Sequence, residues 1–250
     1  MWNNLPSPIV IAHRGDKAHA PENTLAAFRQ AAEKGTDGVE FDVKLSADGE
    51  VIILHDPTVD RTTNGTGKAA KLPLAALREL DAGVQFPGQF PGEKIPTLDE
   101  VFETLGKRLY MNVELTNYST LNDGLVMKVV ELVRKHAMQE CILFSSFFAG
   151  NLRRAHRLLP EVPCGLLTIP GWIGFWGRSF SWRGAGYAAL HPHFKDLDAG
   201  LVERVHAAGK KVNVWTVVTE ADIRGVIGLG VDGIITADLA LALHLLGRDK

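Results

Sequence analysis

Short β-branched, apolar runs return along this chain at intervals filled by amphipathic helical segments, and that alternation constrains the fold more than any other feature. The first run, Ile9-Val10-Ile11-Ala12, breaks off at His13-Arg14-Gly15, and a helix starts at Pro21-Glu22-Asn23-Thr24. That helix carries Leu25, Phe28 and Ala32 on one face, and Gly35 is placed to stop it. Val39 to Val43, Leu109 to Leu115, Cys141 to Ser145, Cys164 to Thr168, Tyr187 to His191, Lys211 to Thr216 and Gly233 to Thr236 follow, giving eight strand candidates. Helical segments over Leu98 to Leu105, Asn122 to His136, Ala149 to Leu159, Ala199 to Ala208, Glu220 to Leu229 and Leu239 to Leu246 separate most of them. Strands that are apolar throughout must be covered on both faces, which means a parallel sheet under helices. Eight such units in 250 residues predict an α/β chain closed into a TIM (β/α)8 barrel. A doubly wound open sheet is the runner-up, but its Gly-x-Gly-x-x-Gly turn is missing after the first strand, where His13-Arg14-Gly15-Asp16 stands.

Asp56 to Pro96 breaks the rhythm with Asn64-Gly65, Thr66-Gly67 and three prolines from Phe86 on, and reads as a small insertion after strand two. Gly65-Thr66-Gly67-Lys68 lacks the spacing and the following Ser/Thr of a phosphate loop, so it reads as a turn. No linker divides the chain, which is expected to be one barrel domain over 1–250 with the insertion at about 56–96. The 27 Lys and Arg stand against 29 Asp and Glu, a net of -2, so no global basic field holds nucleic acid or an anionic membrane. An anionic substrate must therefore be met by a local site. Cys141 and Cys164 are too few for a disulfide framework or a cysteine zinc site and read as small buried thiols. The start Met-Trp-Asn-Asn-Leu-Pro-Ser-Pro resembles no signal peptide, and no apolar stretch approaches spanning length, so a cytoplasmic protein without stable membrane insertion is expected.

In such a barrel the chemistry sits at the carboxyl ends of the strands. Strand one ends in His13-Arg14, strand two contains Glu40-Phe41-Asp42, and strand three contains Glu114, all polar where a core strand should be apolar. Glu40 and Asp42, two apart, project to one face of a strand while Phe41 projects to the other and packs under the helices. Two carboxylates converging in a barrel mouth, joined by Glu114 from the neighbouring strand, repel unless protonated, paired with cations or bound to a metal. A hard divalent cation, Mg²⁺ or Ca²⁺ with Mn²⁺ also suited, is the economical explanation, and an arginine-paired network the structural alternative. Asp48-Gly49 reads as a two-residue hairpin turn that pairs Ala47 with Glu50 and places His55 opposite Asp42. His13 and His55 then flank the three acids as groups fit for acid-base work.

Ala12-His13-Arg14-Gly15, Pro21-Glu22-Asn23-Thr24, Glu40-Phe41-Asp42-Val43, Leu54-His55-Asp56 and Asp60-Arg61-Thr62-Thr63 together resemble the glycerophosphodiester phosphodiesterases of the bacterial cytosolic type. The likeness continues to Trp215-Thr216-Val217 and Gly230 to Thr236. It implies a TIM barrel with an insertion after strand two, and metal-dependent hydrolysis of a small-molecule glycerophosphodiester to sn-glycerol 3-phosphate and an alcohol. By the same resemblance Glu40, Asp42 and Glu114 hold the metal, His13 and His55 are catalytic, and Arg14 and Trp215 bind substrate. As in the related phosphoinositide-specific phospholipases, the glycerol 2-hydroxyl is expected to attack phosphorus and give a cyclic phosphate that water opens, with His13 as base and His55 as acid. One residue departs from the pattern: Lys usually stands two positions after the third-strand Glu, and here that position is Thr116. The missing charge must come from elsewhere, with Lys195 as a candidate, or the substrate is non-standard.

Trp172, Trp176 and Trp182 lie in a glycine-rich loop after strand five, at the active-site face, and suit a pocket wall or lid, packing within the loop, or contact with lipid. His191 and His193 read as solvent-facing, Asn23 and Thr24 as helix caps, and Arg61 as a pin for the insertion. The loop supports a second reading, a lysophospholipid- or lipid-active phosphodiesterase on the same site. A third, a non-catalytic polyol-phosphate-binding barrel, has no need of both histidines and all three acids. Monomer and dimer are both compatible with the sequence.

Overall fold

The computed structural model describes residues 5–118, 120, 122–184 and 186–248. It is a closed barrel of eight parallel strands wrapped by helices, the TIM fold that the alternation predicts. The chain begins with β1 (Ile9–His13), α1 (Leu25–Glu33) and β2 (Gly38–Leu45), then turns back as the short β3 (Val51–Ile53). After α2 (Leu74–Glu79) and α3 (Leu98–Leu105) come β4 (Tyr110–Leu115), α4 (Leu125–Lys135), β5 (Ile142–Ser146), α5 (Ala149–Leu158) and β6 (Cys164–Leu167). The last part runs α6 (Phe175–Ser179), β7 (Ala189–His191), α7 (Ala199–Ala207), β8 (Lys211–Val217), α8 (Glu220–Gly228), β9 (Gly233–Thr236) and α9 (Leu239–Leu245). β1 pairs in parallel with both β2 and β9 and so closes the barrel, while β3 lies antiparallel outside it on the upper end of β2.

Period-two alternation decides what each strand buries. Val10, Ala12, Val39, Phe41, Val43, Met111 and Val113 point outward into the main apolar core under the helices, fully excluded from solvent. Phe41 meets Phe28 of α1 with ring centroids 5.4 Å apart, and full burial of such a side chain is worth roughly 1.5–3 kcal/mol. On α1 the buried residues are Ala27, Phe28 and Ala31, with Leu25 and Ala32 only partly covered, so its apolar stripe is rotated from the one expected. Thr24 is its N-cap and accepts from Ala27 N–H, a contact worth about 1 kcal/mol. The complementary alternation turns Glu40, Asp42, Asn112 and Glu114 inward.

The insertion holds α2 and a second apolar cluster built from Ile52, Leu54, Val59, Ala69, Leu77, Ala82 and Ile95. Gly67, with φ of 115°, bends the chain and donates its N–H to Asp60, and Lys68 bridges to Thr58, so Gly65 to Lys68 forms no phosphate loop. The β2–β3 connection departs from expectation. Val43 pairs with Ile53 and Ser46 N–H donates to Glu50, leaving Ala47-Asp48-Gly49 as a three-residue loop with Gly49 left-handed. Asp48 is drawn into that loop by Ser46 Oγ and by the Leu74 N–H that starts α2. The register therefore shifts by one residue, Leu54 lies beside Asp42, and His55 follows the end of the strand.

Candidate active site

The acids meet because of strand register. β2 and β4 run side by side with Glu40 abreast of Asn112 and Asp42 abreast of Glu114, while His13 on β1 stands beside Glu40. One ligand oxygen from each of Glu40, Asp42 and Glu114 lies within 4.8 Å of the others. Glu40 Oε1 is buried without a hydrogen-bond partner. Burial, and then the charge of Asp42, push Glu40 well above the usual carboxylate range and push Glu114 up to about 8. An all-oxygen donor set that is short of positive charge fits a hard divalent cation.

The His13-Arg14-Gly15 turn brings the other groups in. Arg14 is held left-handed at φ 61° and Gly15 at φ 82°, where a Cβ on Gly15 would lie 2.7 Å from that of Ala27. This bend sends the Arg14 guanidinium back over the acids: Nη1 donates to Glu22 at 2.9 Å and Nε lies 3.4 Å from Asp42 Oδ2. Its backbone N–H also points at Glu40 Oε2, 3.2 Å away. Arg14 thus pairs partly with the cluster, yet Glu40, Asp42 and Glu114 share its one charge with Glu22.

His13 Nε2 is 3.8 Å from Glu40 Oε2, and Nδ1 is 2.7 Å from Lys17 Nζ and 3.4 Å from Thr216 Oγ1. Burial, then the charges of Lys17 and Arg14, hold its imidazole well below the usual histidine range, so it is neutral. His55 pairs Nδ1 with Asp56 Oδ1 at 2.6 Å and is partly exposed. His13, Arg14, Glu40, His55, Glu114 and Trp215 all line one cleft of about 200 Å³, and Asp42, itself buried, offers an oxygen within 4.8 Å of those of Glu40 and Glu114. The seven residues singled out in the sequence are therefore brought together. Trp215 forms a wall, its indole N–H donating to His191 O at 2.8 Å and its ring edge-on to Phe147 at 5.4 Å.

Several participants escaped the sequence reading. Asn23 is not a cap: it is left-handed at φ 58°, and its amide donates to Asp42 Oδ2 at 3.0 Å. Tyr118 donates its hydroxyl to Glu114 Oε1 at 2.8 Å, and burial with the Glu114 charge raises its phenol far enough to keep it a donor. Lys44, not Lys195, stands beside the anomalous Thr116, donating to its hydroxyl at 2.6 Å. Burial lowers the Lys44 ammonium, with Asp42, Glu114 and Asp56 opposing that shift. Lys195 instead lies over the Phe194 ring, 5.8 Å from its centroid. His191 is fully buried and hydrogen-bonded to Asn213 rather than solvent-facing, and burial takes its imidazole down to about 3. No signal in the local sequence marks these contacts, since each joins residues on different strands or loops. Arg61 does pin the insertion, gripping Asp56 and Glu22 with four hydrogen bonds from its guanidinium.

Among the described residues no helix is long and apolar enough to cross a membrane. The model of the glycerophosphoryl diester phosphodiesterase family matches residues 13–241. A glycerophosphodiester phosphodiesterase of Caldanaerobacter subterraneus is 40% identical over 241 residues, covering 96% of this chain and 98% of its own. The human glycerophosphodiester phosphodiesterase 1 is 51% identical over a shorter stretch of 155 residues, 61% of this chain and 43% of its own. A phosphodiesterase of Oleispira antarctica, solved in complex with the product sn-glycerol-3-phosphate, superposes with a TM-score of 0.86 at 34% identity, covering 96% of this chain and 97% of that one. With a barrel, an acid cluster and a sequence match that coincide over nearly its whole length, this chain belongs to the glycerophosphoryl diester phosphodiesterase family and is a phosphodiesterase.

Proposed function

We propose that the protein hydrolyses glycerophosphodiesters to sn-glycerol 3-phosphate and an alcohol in a metal-dependent reaction, with His13 and His55 as the acid-base pair. The observation that carries this reading is the convergence of Glu40, Asp42 and Glu114 with both histidines on one cleft. Glu40, Asp42 and Glu114 hold the cation, Mg²⁺ or Ca²⁺ by donor chemistry with Mn²⁺ also suited. When bound, such an ion neutralises phosphoryl charge and lowers the pKa of an oxygen it contacts.

Arg14 binds the phosphate, and Trp215 walls the substrate. Lys44 supplies the charge that Thr116 lacks, with Thr116 Oγ1 orienting its ammonium. Neutral His13 takes the proton of the glycerol 2-hydroxyl as its oxygen forms a bond to phosphorus. The bond from phosphorus to the alcohol breaks, and His55 delivers a proton to the departing oxygen. Asp56 engages Nδ1 of His55, which leaves Nε2 for that transfer. Water then opens the cyclic phosphate with the two histidines exchanging roles. The chain acts as one catalytic unit over 1–250, insertion included, and a cytoplasmic setting would pass the released glycerol 3-phosphate to metabolism.

The test is release of glycerol 3-phosphate from choline, ethanolamine, glycerol and inositol diesters with Mg²⁺, Ca²⁺, Mn²⁺ or a chelator. Chelator-sensitive release is expected. Release that persists in chelator, or none with any metal from folded protein, would overturn the reading.

A further inference from the structure

His13 is asked to take a proton, yet its surroundings make a protonated imidazole costly. Burial, and then the charges of Lys17, Arg14 and His55, hold the ring neutral. A base that cannot keep a proton needs somewhere to send it. The two ring nitrogens have different partners: Nε2 faces Glu40 Oε2 at 3.8 Å, on the side of the acids, whereas Nδ1 meets Lys17 Nζ at 2.7 Å and Thr216 Oγ1 at 3.4 Å.

The loop that carries Lys17 holds it in that place. Gly15 has no room for a Cβ against Ala27, and Asp16 N–H donates to Ala27 O. The buried Asp16 carboxylate is in turn taken by Lys34 at 2.6 Å and by His19 at 3.1 Å. Lys17 itself is half-buried, and among the described residues the polar side chain that its ammonium meets is His13, not an acid. Burial, and then Arg14, lower that ammonium below the usual lysine range, against the opposing charges of Glu22, Glu40 and Asp42. As a structural contact this arrangement gains little, since it desolvates a charge without neutralising it.

Its chemistry is more telling. An ammonium only donates, so a charged Lys17 makes Nδ1 an acceptor and leaves the single proton of a neutral imidazole on Nε2. In that form Nε2 has no lone pair for an incoming proton. An uncharged Lys17 amine instead accepts Nδ1–H and leaves Nε2 bare. The Thr216 hydroxyl, able to donate or accept, serves either form.

We propose that Lys17 is a positioning residue that acts through His13, as the far end of a proton relay. In the first step the O–H bond of the glycerol 2-hydroxyl breaks, its electron pair forms the bond to phosphorus and its proton goes to Nε2, while the proton on Nδ1 passes to the Lys17 amine. His13 is neutral before and after, in its other tautomer, and Lys17 ends as the ammonium. When the cyclic phosphate opens, Nε2 returns its proton to the 2-oxygen and Lys17 returns its own to Nδ1. This rests on the phosphodiesterase reading, with His13 as its base.

The test follows kcat/KM for glycerophosphocholine against pH, with Mg²⁺ or Ca²⁺ saturating, in the native chain, Lys17→Met and Lys17→Arg. The native profile should rise with pH as Lys17 loses its proton. Lys17→Met should lose that rise and fall about a hundredfold below the native plateau. Lys17→Arg is the sharper variant. Arginine stays protonated and donates to Nδ1 permanently, so this variant should be slower than Lys17→Met across the range, whereas a merely structural or charge-supplying role predicts rescue by arginine. ¹⁵N NMR of histidine-labelled, metal-free protein reads the tautomer without turnover. His13 should carry its proton on Nε2 while Lys17 is charged, on Nδ1 at alkaline pH, and on Nε2 throughout in Lys17→Arg. Rescue by arginine, a pH rise unchanged in Lys17→Met, or a native His13 tautomer indifferent to pH would each overturn the relay and leave the phosphodiesterase reading standing. No release of glycerol 3-phosphate by the native chain from any diester would overturn both.

Discussion

Two groups of carboxylates meet at Arg14, which touches Glu22 of one and Asp42 of the other, and the protein treats them in opposite ways. Glu22 and Asp56 are gripped by Arg61. Burial pushes Glu22 up, but its hydrogen bonds from Arg61 and the charge of Arg14 outweigh that and hold it at about 2. Arg61 holds Asp56 at about 2 as well. Glu40 and Glu114 share one guanidinium with their neighbours and are driven upward by burial and by Asp42. A fold that could place a bidentate arginine on one pair had the means to place one on the other. The contrast separates a pin, whose charges cancel, from a socket that is left wanting a cation.

Activity gives the largest separation between the two groups. His13→Ala and His55→Ala should each lower kcat by roughly 10²–10⁴ in a diester assay while the circular dichroism spectrum stays native, and near-normal turnover in both would sink their assignment. Glu114→Gln should be at least as damaging. Cation binding comes next. Titrating Mg²⁺ or Ca²⁺ into chelated protein should raise its stability by about 2.7 kcal/mol at one hundred times Kd, and Glu114→Gln should abolish the rise. The same variant probes pH. A carboxyl raised to about 8 stabilises the metal-free fold at acid pH, and that stability is lost as pH climbs from the unfolded value near 4 through 8. Denaturant midpoints measured in chelator should therefore decline over that window for the native chain and flatten in Glu114→Gln.

A smaller effect tests the rim of the socket. Lys44→Met should raise KM about tenfold with kcat less affected, because one charge-assisted phosphate contact is lost. Adding Thr116→Lys to it should restore KM, and a double variant no better than the single one would show that Lys44 serves only to hold Thr116. The pin should respond least. Arg61→Gln is expected to cost on the order of 1 kcal/mol, since its guanidinium is 42% exposed and screened by solvent. Here the pH sign is reversed. Carboxylates depressed to about 2 stabilise the fold above pH 4, and that support fades as pH falls toward 2, so Arg61→Gln should shed the steep acid limb of the native unfolding curve.

The barrel was legible in the alternation of apolar strands with amphipathic helices, and its acid cluster in the two-residue period of a strand: Glu40 and Asp42 share a face, and Phe41 must take the other. What the sequence hid was set by distant partners. His55 was misregistered by one residue because the loop before it was drawn to three residues by Leu74 N–H, far along the chain. Asn23 passed for a cap until Asp42 was seen to lie across from its amide. Lys44 stands between Val43 and Leu45 on β2 and drew no attention in the sequence, because its meaning depends on Thr116, just past the end of β4. His191 was placed in solvent because a histidine at a strand end usually is, and the barrel interior with Asn213 claims it instead.

The pairing of Asp42 with Glu114 across β2 and β4 carries one more implication. A slip of a single residue between these strands would turn Glu114 out under the helices and leave two acids where three are needed. A bound cation would therefore proofread assembly: it would hold fast only to molecules whose neighbouring staves have met at the right notch, and a misaligned barrel would announce itself by failing to be clamped.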